Sequence, residues 1–301
     1  MNNSKPKLKG TKKLFIQLGT CSRTLCHILN REFGHPMETE ELASDPLAGG
    51  IMQRGHQCGM LWGAALAVGA ESYRSCGACS PAIGKAITAT QSVMESFSNR
   101  TKCINCRDIT QTDMRSKWDM MKYFFSGRFI SCFTLADKWA PEAVRSAVEG
   151  LSQPIDSTHS PVSCATEVAR KMGATDEEMV MVAGFAGGMG LSGNACGALG
   201  AAIWMNSLVW CREQNDSNTI PDQAVGKKRK VKTPFYNPYA KSTIMAFYRA
   251  TDSKILCHKI SGKRFNSIES HTAYIKEGGC KNLINALTNS KVSSFKFSKS
   301  A

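Results

Sequence analysis

A chain of 301 residues is long enough for two domains, each able to bury a core of its own. Hydrophobic residues make up 42% and charged residues 21%, as in soluble globular proteins, and no run of about 18 apolar residues predicts a membrane span. Much of the net charge of +14 lies near the two ends and in the basic run 227–232, which indicates tails and a linker rather than a nucleic-acid-binding face.

The elements predicted in chain order are helices, because apolar residues recur at helical spacing and strand-like alternation is almost absent. In the first half we expect helices over 12–34, 39–48, 58–73, 81–97 and 114–125, an apolar segment opened by Cys132, and a closing segment over 141–151. In the second half we expect helices over 164–172, from 175 onward, over 196–211 and 239–249, and a last one at Cys280 that reaches 287.

Two polar stretches interrupt this helical pattern. Residues 152–161 are rich in Ser, Thr and Pro and predict a domain boundary, and residues 215–238 predict a basic loop. The sequence therefore predicts an all-α fold of two related helical-bundle domains, 1–153 and 154–301.

The thirteen cysteines are the most unusual feature of the composition. An odd number, in a chain whose N-terminus lacks the apolar core of a secretion signal, argues against a framework of structural disulfides. In a reducing cytoplasm so many thiols are more typical of metal ligation, an iron–sulfur cluster or thiol redox chemistry. We therefore expect a cytoplasmic protein whose function depends on cysteines.

One stretch around a central cysteine occurs twice and indicates an internal duplication. The separation along the chain from Cys26 to Cys58 is the same as that from Cys164 to Cys196. The residues shared by the two stretches are Gly49, Gly50, Cys58, Gly59, Leu61 and Ala64 in the first and Gly187, Gly188, Cys196, Gly197, Leu199 and Ala202 in the second.

Each double glycine suits a sharp bend into a helix, because glycine adopts backbone conformations closed to other residues. A cysteine in the first turn of that helix would have a lowered pKa, since the dipole and free N–H groups favour the thiolate. The alternative is that small residues only permit close helix packing and the cysteine is a core residue. The Cys-x-x-Cys pair of Cys103 and Cys106 is a further redox or ligand candidate.

The repeated motif resembles the C-GCAxxG-C-C family of redox-active proteins, in two tandem copies that cover nearly the whole chain. The sequence departs from the family motif at Met60, where alanine is usual, and at Ala201, where the last glycine is usual. Cys164 aligns with Cys26 rather than with Cys21, so either of these two could be the first site cysteine of the first copy. The site residues that the resemblance implies are Cys21, Cys58, Cys106 and Cys132 in the first copy and Cys164, Cys196, Cys257 and Cys280 in the second.

Three functions remain open from the sequence. The first is an iron–sulfur cluster or another metal in each copy, held by four cysteines and used for electron transfer. The ligand type alone also admits zinc, which has no redox chemistry. The second is a dithiol/disulfide oxidoreductase in which Cys58 or Cys196 attacks as a thiolate and a neighbour resolves the mixed disulfide, with Cys103 and Cys106 as a further catalytic pair. The third is a helical scaffold without chemistry that binds a partner. An unknown redox partner and an oligomer are compatible with all three, and binding of nucleic acid is not expected.

Overall fold

The computed structural model describes residues 10–154, 160–217 and 237–289, which form helices and two isolated β-bridges but no β-strand. The all-α prediction is therefore confirmed. The helices of the first copy are α1 (Thr11–Leu18), α2 (Cys21–Glu32), α3 (Glu38–Ala43), α4 (Gly59–Cys76), α5 (Cys79–Thr101), α6 (Cys106–Thr110), α7 (Lys117–Phe125) and α8 (Arg128–Leu151). Those of the second copy are α9 (Cys164–Lys171), α10 (Asp176–Met181), α11 (Gly197–Ser217), α12 (Pro238–Ala250), α13 (Cys257–Ser261), α14 (Ile268–Lys276) and α15 (Lys281–Asn289).

Apart from α1, the helices of the two copies follow the same order, and several pairs of elements share the same offset along the chain. The offset between the starts of α3 and α10 also separates the 3₁₀ turns Asp45–Leu47 and Ala183–Phe185, and it separates the central helices α4 and α11. Further along, a second and longer offset separates α6 from α13 and again α7 from α14. This correspondence supports the duplication.

Several predicted boundaries differ from the structure. The helix predicted over 12–34 is two helices, because Gly19 ends α1 in a left-handed conformation (φ 84°) and the hydroxyl of Thr20 caps α2. The helix predicted over 39–48 ends at Ala43 and is followed by a 3₁₀ turn. The two segments predicted after Cys132 are one helix, α8, which contains Pro141. Residues 218–236 of the predicted basic loop lie outside the described residues.

The two copies pack against each other on a continuous apolar core. The ring of Trp62 in α4 meets that of Phe185 edge-on, with 4.7 Å between ring centroids. A side chain at Gly200 would collide with the ring of Trp62, so glycine is what lets α11 pack directly against that ring. The boundary predicted between 153 and 154 stays a prediction.

A left-handed backbone segment leads to the central cysteine of each copy. Five consecutive residues, 49–53 in the first copy and 187–191 in the second, have positive φ. The predicted bends at Gly50 (φ 72°) and Gly188 (φ 85°) are therefore confirmed, but the left-handed turn also includes non-glycine residues such as Ile51 (φ 61°). A β-branched residue rarely adopts this conformation, and such strain often occurs at functional sites.

Candidate functional site

An isolated β-bridge sets the central and third cysteines of the first copy side by side. The backbone N–H of Cys58 donates to the carbonyl of Ile104 at 2.7 Å, and that of Cys106 donates to the carbonyl of His56 at 2.6 Å. Because the two hydrogen bonds flank the bridge, each cysteine begins its helix next to the other. Cys58 is the N-cap of α4, and Cys106 is the first residue of α6.

The first cysteine of this site is Cys21, which opens α2 directly after the N-cap Thr20. The backbone N–H of Gly49, the first residue of the left-handed segment, donates to its sulfur. A Cβ atom at Gly59 would lie only 2.6 Å from the sulfur of Cys21. The glycine of the Cys-Gly motif is therefore required for the close approach of the two cysteines.

The fourth cysteine, Cys132, lies in α8 and faces α7. The hydroxyl oxygen of Tyr123 in α7 is 3.3 Å from its sulfur. The structure thus brings four cysteines of the first copy to one cavity of about 200 Å³, whose other lining residues are mostly apolar. The cysteines that line it are Cys21, Cys58, Cys106 and Cys132.

The second copy repeats this arrangement. Cys164 opens α9 after the N-cap Ser163, and the backbone N–H of Gly187 donates to its sulfur. Each of the four cysteines lies close enough to the other three for a negative charge on one to raise the pKa of another. They are Cys164, Cys196, Cys257 and Cys280.

The same bridge geometry orders the second site. The backbone N–H of Cys196 donates to the backbone carbonyl of Ile255 at 2.9 Å, and that of Cys257 donates to the backbone carbonyl of Asn194 at 2.6 Å. A tyrosine again contacts the last cysteine, since the hydroxyl oxygen of Tyr274 lies 3.9 Å from the sulfur of Cys280.

The tyrosines at the two sites were not singled out from the sequence. Tyr123 and Tyr274 occupy the same position in the equivalent helices α7 and α14, and each follows the third cysteine of its copy at the same spacing along the chain. That equal spacing is the signal that could have found them, once the copies are aligned on Cys106 and Cys257.

The pKa values of Cys21 and Cys58 move in opposite directions because the two thiols are hydrogen-bonded. The S–H of Cys58 donates to Cys21, which lowers the pKa of Cys21 although burial opposes it. The same hydrogen bond, followed by burial and the proximity of Cys106, raises the pKa of Cys58 well above its usual value. Cys21, not Cys58, is therefore the thiol most easily ionised in the first copy.

Burial raises the pKa of the other site thiols. It does so for Cys106 and Cys196, and it brings the pKa of Cys132 to about 11 and that of Cys257 to about 12. The prediction that the helix start lowers the pKa of Cys58 and Cys196 is wrong. Backbone N–H groups do act in that direction, from Met60 in the first copy, but burial and neighbouring thiols outweigh them.

Cys26 is not at this cavity. It lies on the same helix as Cys21 but about 140° further around the axis, so the two side chains face different surroundings. Cys26 is fully buried in the core, where the side-chain amide of Asn30 donates to it at 3.7 Å. The predicted alignment of Cys164 with Cys26 is also wrong, because Cys164 and Cys21 share the helix-opening position and the glycine N–H donor.

Only one cysteine of the predicted Cys103–Cys106 pair lies at the site. Cys106 lines the cavity, whereas Cys103 does not and instead donates to the backbone carbonyl of Thr101 at 3.6 Å. Burial, and then the charge of Asp108, raise the pKa of Cys103. Nothing in its surroundings favours a reactive thiolate.

All thirteen cysteines are free thiols in the structure. Across the described ranges, no three His, Cys, Asp or Glu side chains come close enough together to ligate a single metal ion. Four thiolates on one zinc ion would need sulfurs about 3.8 Å apart, because zinc–sulfur bonds are about 2.3 Å long and tetrahedral. The site cysteines are therefore neighbours, but they are not arranged around one ion.

The sequence model of one protein family, described as "Putative redox-active protein (C_GCAxxG_C_C)", matches the chain twice, over residues 20–143 and 162–291. The chain belongs to this family. The two matches include all eight cysteines at the two sites, and the resemblance to two tandem copies of this family is confirmed. No curated protein and no solved structure matches the chain.

The membership describes a redox-active protein and names no cofactor, reaction or partner. As for membranes, none of the helices in the described part of the chain is both long enough and apolar enough to span one.

Proposed function

We propose that each copy binds an iron–sulfur cluster through its four cysteines and that the protein transfers electrons. The first copy would use Cys21, Cys58, Cys106 and Cys132, and the second would use Cys164, Cys196, Cys257 and Cys280. The observation that supports this proposal is that four buried or half-buried thiols converge at one place in each copy with no cationic side chain among the cysteines to ionise them.

The raised pKa values set a condition for a cluster at these sites. Burial keeps Cys106, Cys132 and Cys257 protonated at neutral pH, and ionising one thiol makes it harder to ionise the next. Four thiolates can coexist in such a place only when a metal supplies the compensating charge, because a coordinating thiol is deprotonated outright. Binding of a cluster would therefore have to supply the positive charge that stabilises the four thiolates of each copy.

A cluster fits these residues better than one ion does. No three ligand side chains in the described residues suit a single metal ion, whereas the four cysteines of the first copy all line one cavity of about 200 Å³. Four cysteine ligands are the usual number for a [2Fe–2S] or [4Fe–4S] cluster. When bound, such a cluster accepts and donates single electrons.

The protein's own residues would hold and tune the sulfurs. The N–H groups of Gly49 and Gly187 donate to the first cysteine of each copy, and the phenols of Tyr123 and Tyr274 contact the last. Such hydrogen bonds stabilise negative charge on sulfur and raise the reduction potential of a cluster. Most of the other residues that line the first site are apolar.

The test is anaerobic reconstitution with iron and sulfide, followed by metal analysis and visible spectroscopy. We expect sulfur-to-iron charge-transfer absorption, with about half of the bound iron lost in Cys106→Ser, about half in Cys257→Ser and all of it in the double variant, because each ligand belongs to one copy. Cys103→Ser is the matched control, since Cys103 lies outside the cavity. A colourless wild type, or iron content unchanged in the double variant, would contradict the proposal.

A dithiol/disulfide oxidoreductase is the second candidate, and the hydrogen bond from Cys58 to Cys21 favours it. The thiolate of Cys21 would attack a substrate disulfide, form a mixed disulfide and release the other substrate sulfur as a thiolate. Cys58, after losing its proton, would attack the mixed disulfide. The products are a Cys21–Cys58 disulfide and a substrate dithiol, so two electrons pass to the substrate.

The two candidates differ in what the metal-free protein does with oxidised glutathione. The dithiol function predicts a Cys21–Cys58 disulfide in peptide maps and no equivalent Cys164–Cys196 disulfide, because burial raises the pKa of Cys164. Loss of the disulfide in Cys21→Ser and its retention in Cys103→Ser would support this function. If no intramolecular disulfide forms, the second candidate is excluded.

A further inference from the structure

The outer face of α7 exposes a group of large apolar side chains. Nine such side chains are exposed in the described residues, and five of them lie within residues 118–130. We call these five the α7 surface: Trp118, Met121, Phe124, Phe125 and Ile130. Trp118 and Phe125 are 72% and 87% exposed, so the surface is open to a partner. Clustered apolar residues of this size mark interaction sites on soluble proteins.

The α7 surface borders the cysteine cavity of the first copy. A groove of about 410 Å³ on this surface is lined by Met121, Phe125 and their neighbours. Three of its lining residues, Met114, Met120 and Phe124, also line the cavity that contains the four cysteines. A molecule in the groove is therefore separated from that cavity by a single layer of side chains.

The second copy lacks such a surface at its equivalent helix. At the positions of Trp118, Met121 and Phe125, helix α14 has Glu269, Thr272 and Lys276. The position of Phe124 is taken by Ile275, which is buried. The duplication kept the cysteines in both copies, but the apolar surface is present on one only.

The charges around the α7 surface are mostly positive. Residues 114–130 contain four cationic side chains and one carboxylate, Asp119. Arg115 and Lys117 line the groove itself. Arg115 forms an ion pair with Asp113, whereas Lys117 and Lys122 form none with the described residues. An apolar centre with a cationic rim is complementary to an acidic protein surface.

We propose that the α7 surface is the docking site of a small acidic electron-carrier protein, which exchanges electrons with the cysteine site of the first copy; the electron-transfer part rests on the proposed function. In each encounter the reduced carrier loses one electron and the first-copy site gains one, and no covalent bond forms or breaks. Aromatic, methionine and arginine side chains are those enriched in protein interfaces, and all three are present here. A second copy of this chain is a poorer occupant, because two cationic rims would repel each other.

The docking part is tested by calorimetric binding to two probes, an acidic [2Fe–2S] ferredoxin and an acidic flavodoxin. We expect at least one of them to bind the full chain, more weakly at high ionic strength. Lys117→Glu with Lys122→Glu, and separately Trp118→Ala with Phe125→Ala, should each weaken binding about tenfold or more. The matched control is Lys241→Glu with Met245→Ala, at exposed positions on α12, which should leave binding unchanged.

These binding measurements do not require iron, so they separate docking from the proposed cluster. Absence of binding by both carriers overturns the proposal, and so does binding that the α7 variants leave unchanged. Self-association that is lost in Trp118→Ala with Phe125→Ala would instead identify a second copy as the occupant. Binding to anionic phosphatidylglycerol vesicles but to neither carrier would identify a membrane surface.

The electron-transfer part is tested by mixing the reduced carrier with reconstituted protein in a stopped-flow spectrometer. Oxidation of the carrier should be lost in Cys106→Ser and retained in Cys257→Ser, because the carrier docks beside the first copy. Equal rates in the two variants would overturn the assignment to one copy. A carrier that binds but is not oxidised by the reconstituted wild type would overturn the proposed electron transfer and leave the docking result intact.

Discussion

Two tyrosines complete the cysteine sites at the scale of single residues. Tyr123 contacts Cys132 at 3.3 Å, and Tyr274 contacts Cys280 at 3.9 Å, from equivalent positions of α7 and α14. Burial, and then the charges of the neighbouring cysteines, raise the pKa of Tyr274 to about 12, so the phenol stays protonated and can donate. Each phenol therefore stabilises the thiolate form of the last cysteine.

Replacing Tyr123 by Phe should make Cys132 harder to ionise. Burial brings the pKa of Cys132 to about 11 in spite of the hydrogen bond from Tyr123, and loss of that bond should raise it by about one unit, the equivalent of about 1.4 kcal/mol. The measurement is the rate of Cys132 alkylation against pH in metal-free protein, followed by mass spectrometry. Tyr248→Phe is the control, because the ring of Tyr248 packs against the guanidinium of Arg54. An unchanged rate profile in Tyr123→Phe would show that the phenol does not donate to Cys132.

A buried carboxylate joins the helices α2 and α3. Glu41 of α3 accepts hydrogen bonds from His27 at 2.9 Å, from Asn30 at 3.1 Å and from Arg31 at 2.8 Å, all in α2. Burial works to raise the pKa of Glu41, but these hydrogen bonds and the backbone N–H of Met37 outweigh it and lower the pKa to about 2. The folded state thus favours the ionised form.

Glu41→Gln should cost about 2 kcal/mol of unfolding free energy at neutral pH, because the remaining donors lose a charged acceptor. Because the pKa of Glu41 is lower in the folded state than in the unfolded state, its ionised form stabilises the fold at pH values above 4.5. This stabilisation is lost as the pH falls from 4.5 toward about 2. The difference between wild type and variant in urea unfolding should therefore shrink over this range. Glu38→Gln, at an 85% exposed side chain of the same helix, should show no such trend. A constant difference from pH 7 to about 2 would contradict the assignment.

The left-handed segments are the elements that place the first and central cysteines. In 49–53 the chain holds five positive φ angles in succession, and a left-handed conformation costs roughly 1–2 kcal/mol for each non-glycine residue. The segment compensates through backbone hydrogen bonds, such as those from Gly55 to Gly49 at 2.9 Å and from His56 to Gly50 at 3.2 Å. Its geometry is what directs the N–H of Gly49 to the sulfur of Cys21.

Gly50→Ala should therefore destabilise the protein far more than Gly77→Ala does. Both glycines have positive φ, at 72° and 64°, so both variants carry the backbone cost of about 1–2 kcal/mol. An added Cβ at Gly77 meets nothing within 4 Å, whereas at Gly50 it collides with the backbone of His56. We expect a total loss of at least about 3 kcal/mol for Gly50→Ala in urea unfolding. Equal losses of unfolding free energy in the two variants would mean that residues 49–53 shift without cost to make room for the added Cβ.

The whole molecule is expected to unfold as one unit, because the two copies share a core. The side-chain amide of Gln57 in the first copy donates to the carbonyl of Gly188 at 3.0 Å, and the N–H of Ala195 donates back to Gln57 at 3.1 Å. Trp204 of the second copy donates to the carbonyl of Glu40 at 3.1 Å. The hydrogen bonds of Gln57 lie beside Trp62, whose indole N–H donates to the carbonyl of Gln57 at 3.1 Å, so we expect disruption of the interface to affect both sites.

Trp62→Ala should lower the unfolding free energy by about 3–5 kcal/mol through the cavity that it leaves between the copies. We expect a single thermal transition in which Cys58 and Cys196 become reactive together. Trp118→Ala, at a 72% exposed residue, should change stability by less than about 0.5 kcal/mol. Two separate transitions, with only one copy destabilised, would show that the copies fold independently.

Local sequence patterns determined the helical fold, the duplication and most of the site. Apolar spacing predicts helices because burying one face is what stabilises them. The repeated Cys-Gly motif marks the central cysteine of each cluster, and in the first copy its glycine, Gly59, admits the sulfur of Cys21. All eight cysteines implied by the family resemblance, from Cys21 to Cys280, lie in the two clusters that the structure contains.

Tertiary structure decided what depends on distance through space. It placed Cys26 and Cys103 outside the cavity of the first site. It showed that Cys164 corresponds to Cys21, although the two lie at different distances along the chain from the central cysteine. It also raised the pKa of Cys58, which the sequence had predicted to be lowered. Sequence patterns could not decide these points, because burial and the charge of neighbouring thiols arise only when α2, α4, α6 and α8 pack together. A helix start lowers the pKa of a thiol by a local effect, and the surrounding core is what overrides it.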